Sequence, residues 1–251
     1  MKTLIIDIET APSIAYVWQM WKANIGLNQV EERGYLMSYA AKWLGSDETF
    51  YNENRHGNDK GLVEEIIQLF DEADVVIAHN ADKFDVPTVN ARAIFHGIPP
   101  NSPFRTIDTL KVAKARFRFE RNSLAFLSKY LGVQEKLSHT TFPGFELWLQ
   151  CLKQNDEAWH EMKVYNIQDV DTLEQVYLRL RPWIKNPPSH GVYTDEQVCP
   201  NCGGKHLHKR GTYSTNISTF QRFKCLDCGS WSRARQNIRN KEAVKASLVG
   251  V

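Results

Sequence analysis

The apolar positions of this chain come in short runs whose spacing changes along its length. Leu4-Ile5-Ile6 with Ile8 is a compact apolar run that ends in acids, and it predicts a buried strand over residues 3–8. Residues 35–44 and 49–52 are richer in polar positions and predict two further strands of more amphipathic character, so the first three strands should form an antiparallel meander. Leu62, Ile66, Leu69 and Phe70 then recur at helical spacing within 58–72, and a Val/Ile run over 74–78 predicts another strand.

Further on, residues 87–96 predict a helix, 106–110 a short extended piece, and 123–131 a helix closed by Gly132. The stretch 156–181 predicts one long helix with Asp156 as its N-cap. Strands, a helix, another strand and then helices make the expected fold class α/β, a mixed sheet flanked by helices. The helical pattern stops before Pro187-Pro188-Ser189, where proline cannot continue it, so a linker is expected over 184–196. The resulting organisation is a main domain over 1–183, a small β-rich module over 197–235 and a basic tail over 236–251.

Composition narrows the class. With 42% hydrophobic and 24% charged residues the chain reads as globular rather than disordered. The apolar run at the start is too short for a signal segment, and no stretch is apolar enough to span a bilayer. A soluble, cytoplasmic protein is therefore expected, with no membrane partner. The net charge of +2 conceals an asymmetry: residues 199–251 hold ten Lys/Arg against two acids, whereas the rest of the chain is acidic. An acidic body suits cations, and a basic tail suits a polyanion.

Candidate chemistry sits in three places in the main domain. Asp7 and Glu9 end the first strand, and the period of two puts both carboxylates on one face while Ile6 and Ile8 take the other. Two adjacent anions repel each other unless a cation lies between them. A second group follows the 74–78 strand, in a polar turn carrying Asn80, Asp82, Phe84 and Asp85. The third is Tyr165 with Asp169, which the i, i+4 spacing stacks on one face of the last long helix. Asp171 is turned away from that face, while Asp82 and Asp108 read as solvated turn acids. Cys151, with helical apolar neighbours and no adjacent base, reads as a small buried hydrophobe.

Taken in order, these motifs resemble the DEDD exonucleases of RNase H-like fold, and within them the tyrosine subclass that includes the proofreading domains of family B DNA polymerases. Asp7 and Glu9 match the first motif, Asn80 with Phe84-Asp85 the second, and Tyr165 with Asp169 the third; Val164 stands where the histidine subclass would carry histidine. The resemblance covers roughly residues 1–183. It implies two Mg²⁺ or Mn²⁺ held by Asp7, Glu9, Asp85 and Asp169, with Asp7 bridging and Asp85 acting largely through water. Tyr165 would orient the attacking water, and Thr10, Asn80 and Phe84 would meet the terminal nucleotide. The implied activity is 3′→5′ hydrolysis of phosphodiester bonds, with single-stranded DNA favoured over RNA. A DNA polymerase or another replication protein is a further partner the resemblance allows. An inactive nucleic-acid-binding accessory protein is the rival from another class, and the presence of every acid and the tyrosine speaks against it.

The small module has its own signature. Cys199/Cys202 and Cys225/Cys228 form two CxxC pairs, each followed by glycine, with 22 residues between them. Repeated knuckles of this kind favour one structural Zn²⁺ in a Cys₄ ribbon over a redox dithiol, with His206 and His208 left to a basic face. The insert 212–224 predicts two strands. Phe220, Phe223 and Trp231 lie among Arg222, Lys224, Arg233 and Arg235, a mixture suited to single-stranded nucleic acid, so the ribbon is expected to assist binding.

Overall fold

The structure is a computed structural model that describes residues 1–133 and 141–249. In chain order its main part contains β1 (Thr3–Thr10), a small ribbon of β2 (Ile14–Ala15) and β3 (Val30–Glu32), then β4 (Leu36–Trp43) and β5 (Thr49–Glu53). Helix α1 (Lys60–Glu72) leads to β6 (Val75–Ala78), α2 (Asp85–Phe95), β7 (Arg105–Asp108) and α3 (Thr109–Arg116). Three more helices follow, α4 (Leu124–Tyr130), α5 (Glu146–Leu152) and α6 (Asp156–Leu180).

The sheet order is β5-β4-β1-β6-β7, so the expected meander of β1, β4 and β5 is present and β1 lies at the centre. It runs antiparallel to β4 and parallel to β6, with Asp7 opposite Ala40 and Ile5 opposite Ile77. Alternation along β1 then divides the core into two layers. Leu4, Ile6 and Ile8 pack with Leu62, Ile66 and Phe70 of α1 and Val89 of α2 on one face. The opposite face is closed by Met37 with Leu147, Cys151, Trp159 and Met162 from α5 and α6. Asp7 and Glu9 have the parity of Ile5, which turns them away from the α1 layer.

Four details differ from the sequence expectation. β4 is buried over 36–42 rather than amphipathic, because its polar side chains find partners inside: Ser38 on Asn166, Tyr39 on Glu65, and Lys42 on Asp171 and Glu174. The N-cap of α6 is Asn155, whose Oδ1 accepts from the Glu157 and Ala158 N–H groups at 3.0 and 3.4 Å, and Asp156 is already helical. The piece at 106–110 divides into β7 and the start of α3. The turn expected to hold Asp85 ends one residue earlier, so Asp85 opens α2. Cys151 is fully buried, and burial pushes its thiol up to about 12, which suits a packing residue.

The chain divides into two compact units at Tyr177/Leu178, close to the end of α6. The second contains a three-stranded antiparallel sheet in the order β10-β9-β8, built from β8 (Leu207–Ser214), β9 (Thr219–Cys225) and β10 (Trp231–Asn237), followed by α7 (Lys241–Lys245). This is one strand more than expected, because β10 is too polar to show as a strand in the pattern. Among the described residues no helix is long and apolar enough to cross a membrane.

Candidate active site

The central strand and the last helix of the main unit bring the expected acids together. Asp7, Glu9 and Asp169 each present a carboxylate oxygen, and these atoms all lie within 4.8 Å of one another. The cause is local periodicity on both sides: parity on β1 turns Asp7 and Glu9 toward one layer, and the i, i+4 rise of α6 aligns Asp169 with Tyr165. The Tyr165 hydroxyl donates to Asp169. Burial raises the Tyr165 pKa above that of an ordinary phenol, and the charges of Asp169, Glu9 and Asp7 raise it further. Its ring packs edge-on against Trp148 at 6.1 Å between centroids. Asp171 points elsewhere, to Lys42 Nζ at 2.9 Å.

Asp85 lies outside this three-carboxylate group. It is 2% exposed, its carboxyl accepts from the Ile8 backbone of β1, and its Oδ2 has no hydrogen-bond partner. Burial pushes its pKa up to about 7, helped by the nearby charge of Asp108. The three clustered carboxylates are hard oxygen donors of the kind a divalent cation takes, and Asp85 offers a further buried oxygen from the start of α2. The donor set therefore fits Mg²⁺ or Mn²⁺.

Thr10 ends β1 at a register shift between Glu9 and Thr10, a bulge that re-aims the strand end. Asn80 adopts φ 90°, and its N–H donates to Asp108 at 3.2 Å. Phe84 is 40% exposed. Asp108 is not a solvated turn acid: it is buried, caps α3 through the Lys111 N–H, and also accepts from the Asp82 N–H, tying down the turn that delivers Asp85. Asp82 is the partly exposed one. Burial raises its pKa, but pairing with Lys111 and Thr106 outweighs that and leaves it lowered.

One residue was missed in the sequence. Asn166 is fully buried on α6; its Nδ2 donates to Asp7 Oδ2 at 2.8 Å and to Asp7 O at 3.3 Å, and its Oδ1 accepts from Ser38 Oγ at 3.0 Å. The available signal was an asparagine, a weak helix former, at an inward position in the middle of a long helix. Holding one Asp7 oxygen leaves the other directed at the cluster. Asn166→Ala is expected to raise the Mg²⁺ concentration for half-maximal activity about 10–100-fold, and to lower the melting temperature by a few degrees because the buried Ser38 hydroxyl loses its partner. A metal titration of the rate checks this, and an unchanged midpoint would remove the positioning role.

In the second unit the four cysteines also meet. Cys199 and Cys228 Sγ atoms are 3.7 Å apart, as are those of Cys202 and Cys225. A tetrahedron with metal–sulfur bonds of about 2.3 Å has edges of about 3.8 Å, so the spacing fits zinc. Each knuckle closes on a left-handed glycine, Gly203 at φ 74° and Gly229 at φ 77°, whose N–H returns to the first cysteine carbonyl. His206 stands outside the ligand set and pairs with Asp227 at 2.6 Å.

A family model described as the RNase_H superfamily matches residues 24–181. No curated protein matches the chain. Among solved structures the chain is similar to the family B DNA polymerase of the hyperthermophilic archaeon Pyrobaculum calidifontis, at 17% identity and a TM-score of 0.53. That likeness covers 72% of this chain and 25% of the polymerase, so the chain spans about a quarter of that protein, and the match speaks for the fold alone.

Proposed function

We propose, from the premise that this chain belongs to the RNase_H superfamily, that it is a two-metal 3′→5′ exonuclease releasing nucleoside 5′-monophosphates from single-stranded DNA. The observation that carries this reading is the meeting of Asp7, Glu9 and Asp169 within 4.8 Å. Bound Mg²⁺ or Mn²⁺ supplies Lewis acidity and an activated water at neutral pH. Asp7 and Glu9, fixed on a central strand, and Asp169, fixed on a helix, are the anionic groups that hold it. Asp85 adds its buried oxygen from the start of α2.

A phenol ordinarily titrates at about 10 and stays protonated near neutrality, so Tyr165 would orient a water by hydrogen bonding rather than remove a proton as a free base. Thr10 at the bulge, Asn80 in its left-handed turn and the exposed ring of Phe84 are the groups assigned to the terminal nucleotide. A DNA polymerase or other replication protein is the macromolecular partner this activity would serve.

The test is a time course with 5′-labelled single-stranded DNA, duplex DNA and RNA of one sequence in Mg²⁺, Mn²⁺ or EDTA. A metal-dependent ladder shortening from the 3′ end, fastest on single-stranded DNA, is expected. Preference for RNA would reassign the substrate. Binding without any cleavage would make the chain an accessory nucleic-acid-binding protein.

A further inference from the structure

The second unit contains a groove of about 570 Å³ between residues 182–187 and the face of the β8–β10 sheet. Strand alternation sorts the side chains of β9: Phe223 turns inward and is 5% exposed, whereas Phe220, Arg222 and Lys224 share the other face. On that face Arg222 lies opposite Arg233, and Lys224 opposite Trp231. The groove is lined by the rings of Trp183, Tyr213 and Trp231, each about half exposed or more, and by Lys185, Arg222 and Arg233, with no carboxylate in the lining.

The cations are seated on the rings. The Arg222 guanidinium is 4.7 Å from the Trp231 centroid, and its Nε donates to the Arg210 carbonyl at 2.9 Å. Arg233 lies 4.0 Å from Phe220 and 5.6 Å from Tyr213. Two arginines directly across a strand pair repel each other and weaken the sheet. Among the described residues neither forms a salt bridge with an acid, so an anionic occupant would relieve a strain the fold itself leaves standing. Flat exposed rings beside fixed cations suit a polymer that offers base faces and phosphates at regular intervals.

We propose that this groove is a single-strand nucleic-acid clamp, in which bases stack on Trp231, Tyr213 and Trp183 while phosphates lie against Arg222, Arg233 and Lys185. The choice of polymer rests on the nuclease reading; the ring-and-cation geometry does not.

The experiment uses the full chain carrying Asp7→Ala, so that the probe survives, and fluorescence anisotropy with labelled dT20 and rU20 over a salt series. Trp231→Ala is expected to weaken binding about tenfold, and Trp231→Phe, which keeps a ring, about threefold or less. The pair Arg222→Gln and Arg233→Gln should lower the slope of log affinity against log salt by about 1.4, near 0.7 per phosphate contact. Lys185→Gln, on the turn outside the sheet, should lower it by about half as much. Unchanged zinc content in each variant verifies that the ribbon is intact.

Affinity and slope unchanged in all variants would overturn the clamp, as would absence of binding by the Asp7→Ala chain. Capture of an acidic peptide but neither oligonucleotide would reassign the groove to a protein. Degradation of single strands by the wild type with groove variants indistinguishable from it would leave the nuclease standing and remove the clamp. Groove-dependent binding with no cleavage by the wild type would do the reverse.

Discussion

Asp169→Ala is expected to slow 3′-end hydrolysis by at least about 10³-fold while leaving affinity for single strands within about threefold. The Asp169 oxygen belongs to the group that lies within 4.8 Å of Asp7 and Glu9, so its removal would take away one of the three clustered oxygens available to a cation. Loss of metal-dependent charge stabilisation amounts to several kcal/mol of barrier, and each 1.36 kcal/mol is a factor of ten in rate. Asp7→Ala should behave in the same way. Asp169→Ala should also raise the melting temperature of metal-free protein by a few degrees, because three carboxylates at this range repel one another and one charge is gone; Asp7→Ala should not, because it takes the acceptor from the buried Asn166 amide. In Asp169→Ala that opposite sign in stability separates a lost ligand from a damaged fold. Tyr165→Phe keeps the ring against Trp148 and loses only the hydroxyl, so a slower enzyme, down about 10²-fold, with unaltered metal affinity is expected. Single-turnover rates, anisotropy and thermal melts read these quantities. Wild-type-like turnover in Asp169→Ala would reject the carboxylate mechanism.

The parts of this site that were legible in the sequence are those fixed by local periodicity. Asp7 and Glu9 share a face because a strand repeats every two residues, and Tyr165 and Asp169 share one because a helix brings i and i+4 together. The cysteine pairs were legible for a similar reason, since each knuckle is a local turn. Asn166 was not: its role depends on Asp7, 159 residues away, and nothing adjacent in the chain identifies that partner. Asp108 was misread because its ligands, the N–H groups of Asn80 and Asp82, come from a turn 26–28 residues earlier.

The same distinction explains the secondary structure. Helix α3 buries only Thr109 and Ala113, too few apolar positions to show a period, and its start is set by the Asp108 cap. Strand β4 read as amphipathic because Ser38, Tyr39 and Lys42 are polar. Their partners on α1 and α6 lie far along the chain, and only assembly makes those positions internal. Cap identity at Asn155/Asp156 is a different failure, since both residue types cap well and a one-residue choice has no pattern behind it.

Cys225→Ser is expected to release the metal of the second unit and melt its three strands. Cys225 is fully buried, and its Sγ is 3.7 Å from that of Cys202. Apart from the cysteines, Phe223 is the main apolar side chain buried in that sheet, which is too little to hold three exposed strands together. A metal held by the four cysteines would therefore supply most of the folding free energy, since structural zinc in small domains contributes about 10–16 kcal/mol of apparent binding energy. The main unit has two apolar layers of its own and should keep its melting transition. Metal analysis should show zinc falling from about one equivalent to near zero, with a loss of β signal in circular dichroism. Hydrolysis of a trinucleotide should be nearly unchanged, while kcat/KM for a 30-nucleotide strand falls about tenfold or more through KM. Unchanged zinc content would reject the Cys₄ assignment. Zinc lost with long and short substrates equally affected would keep the metal site and remove the ribbon from substrate capture.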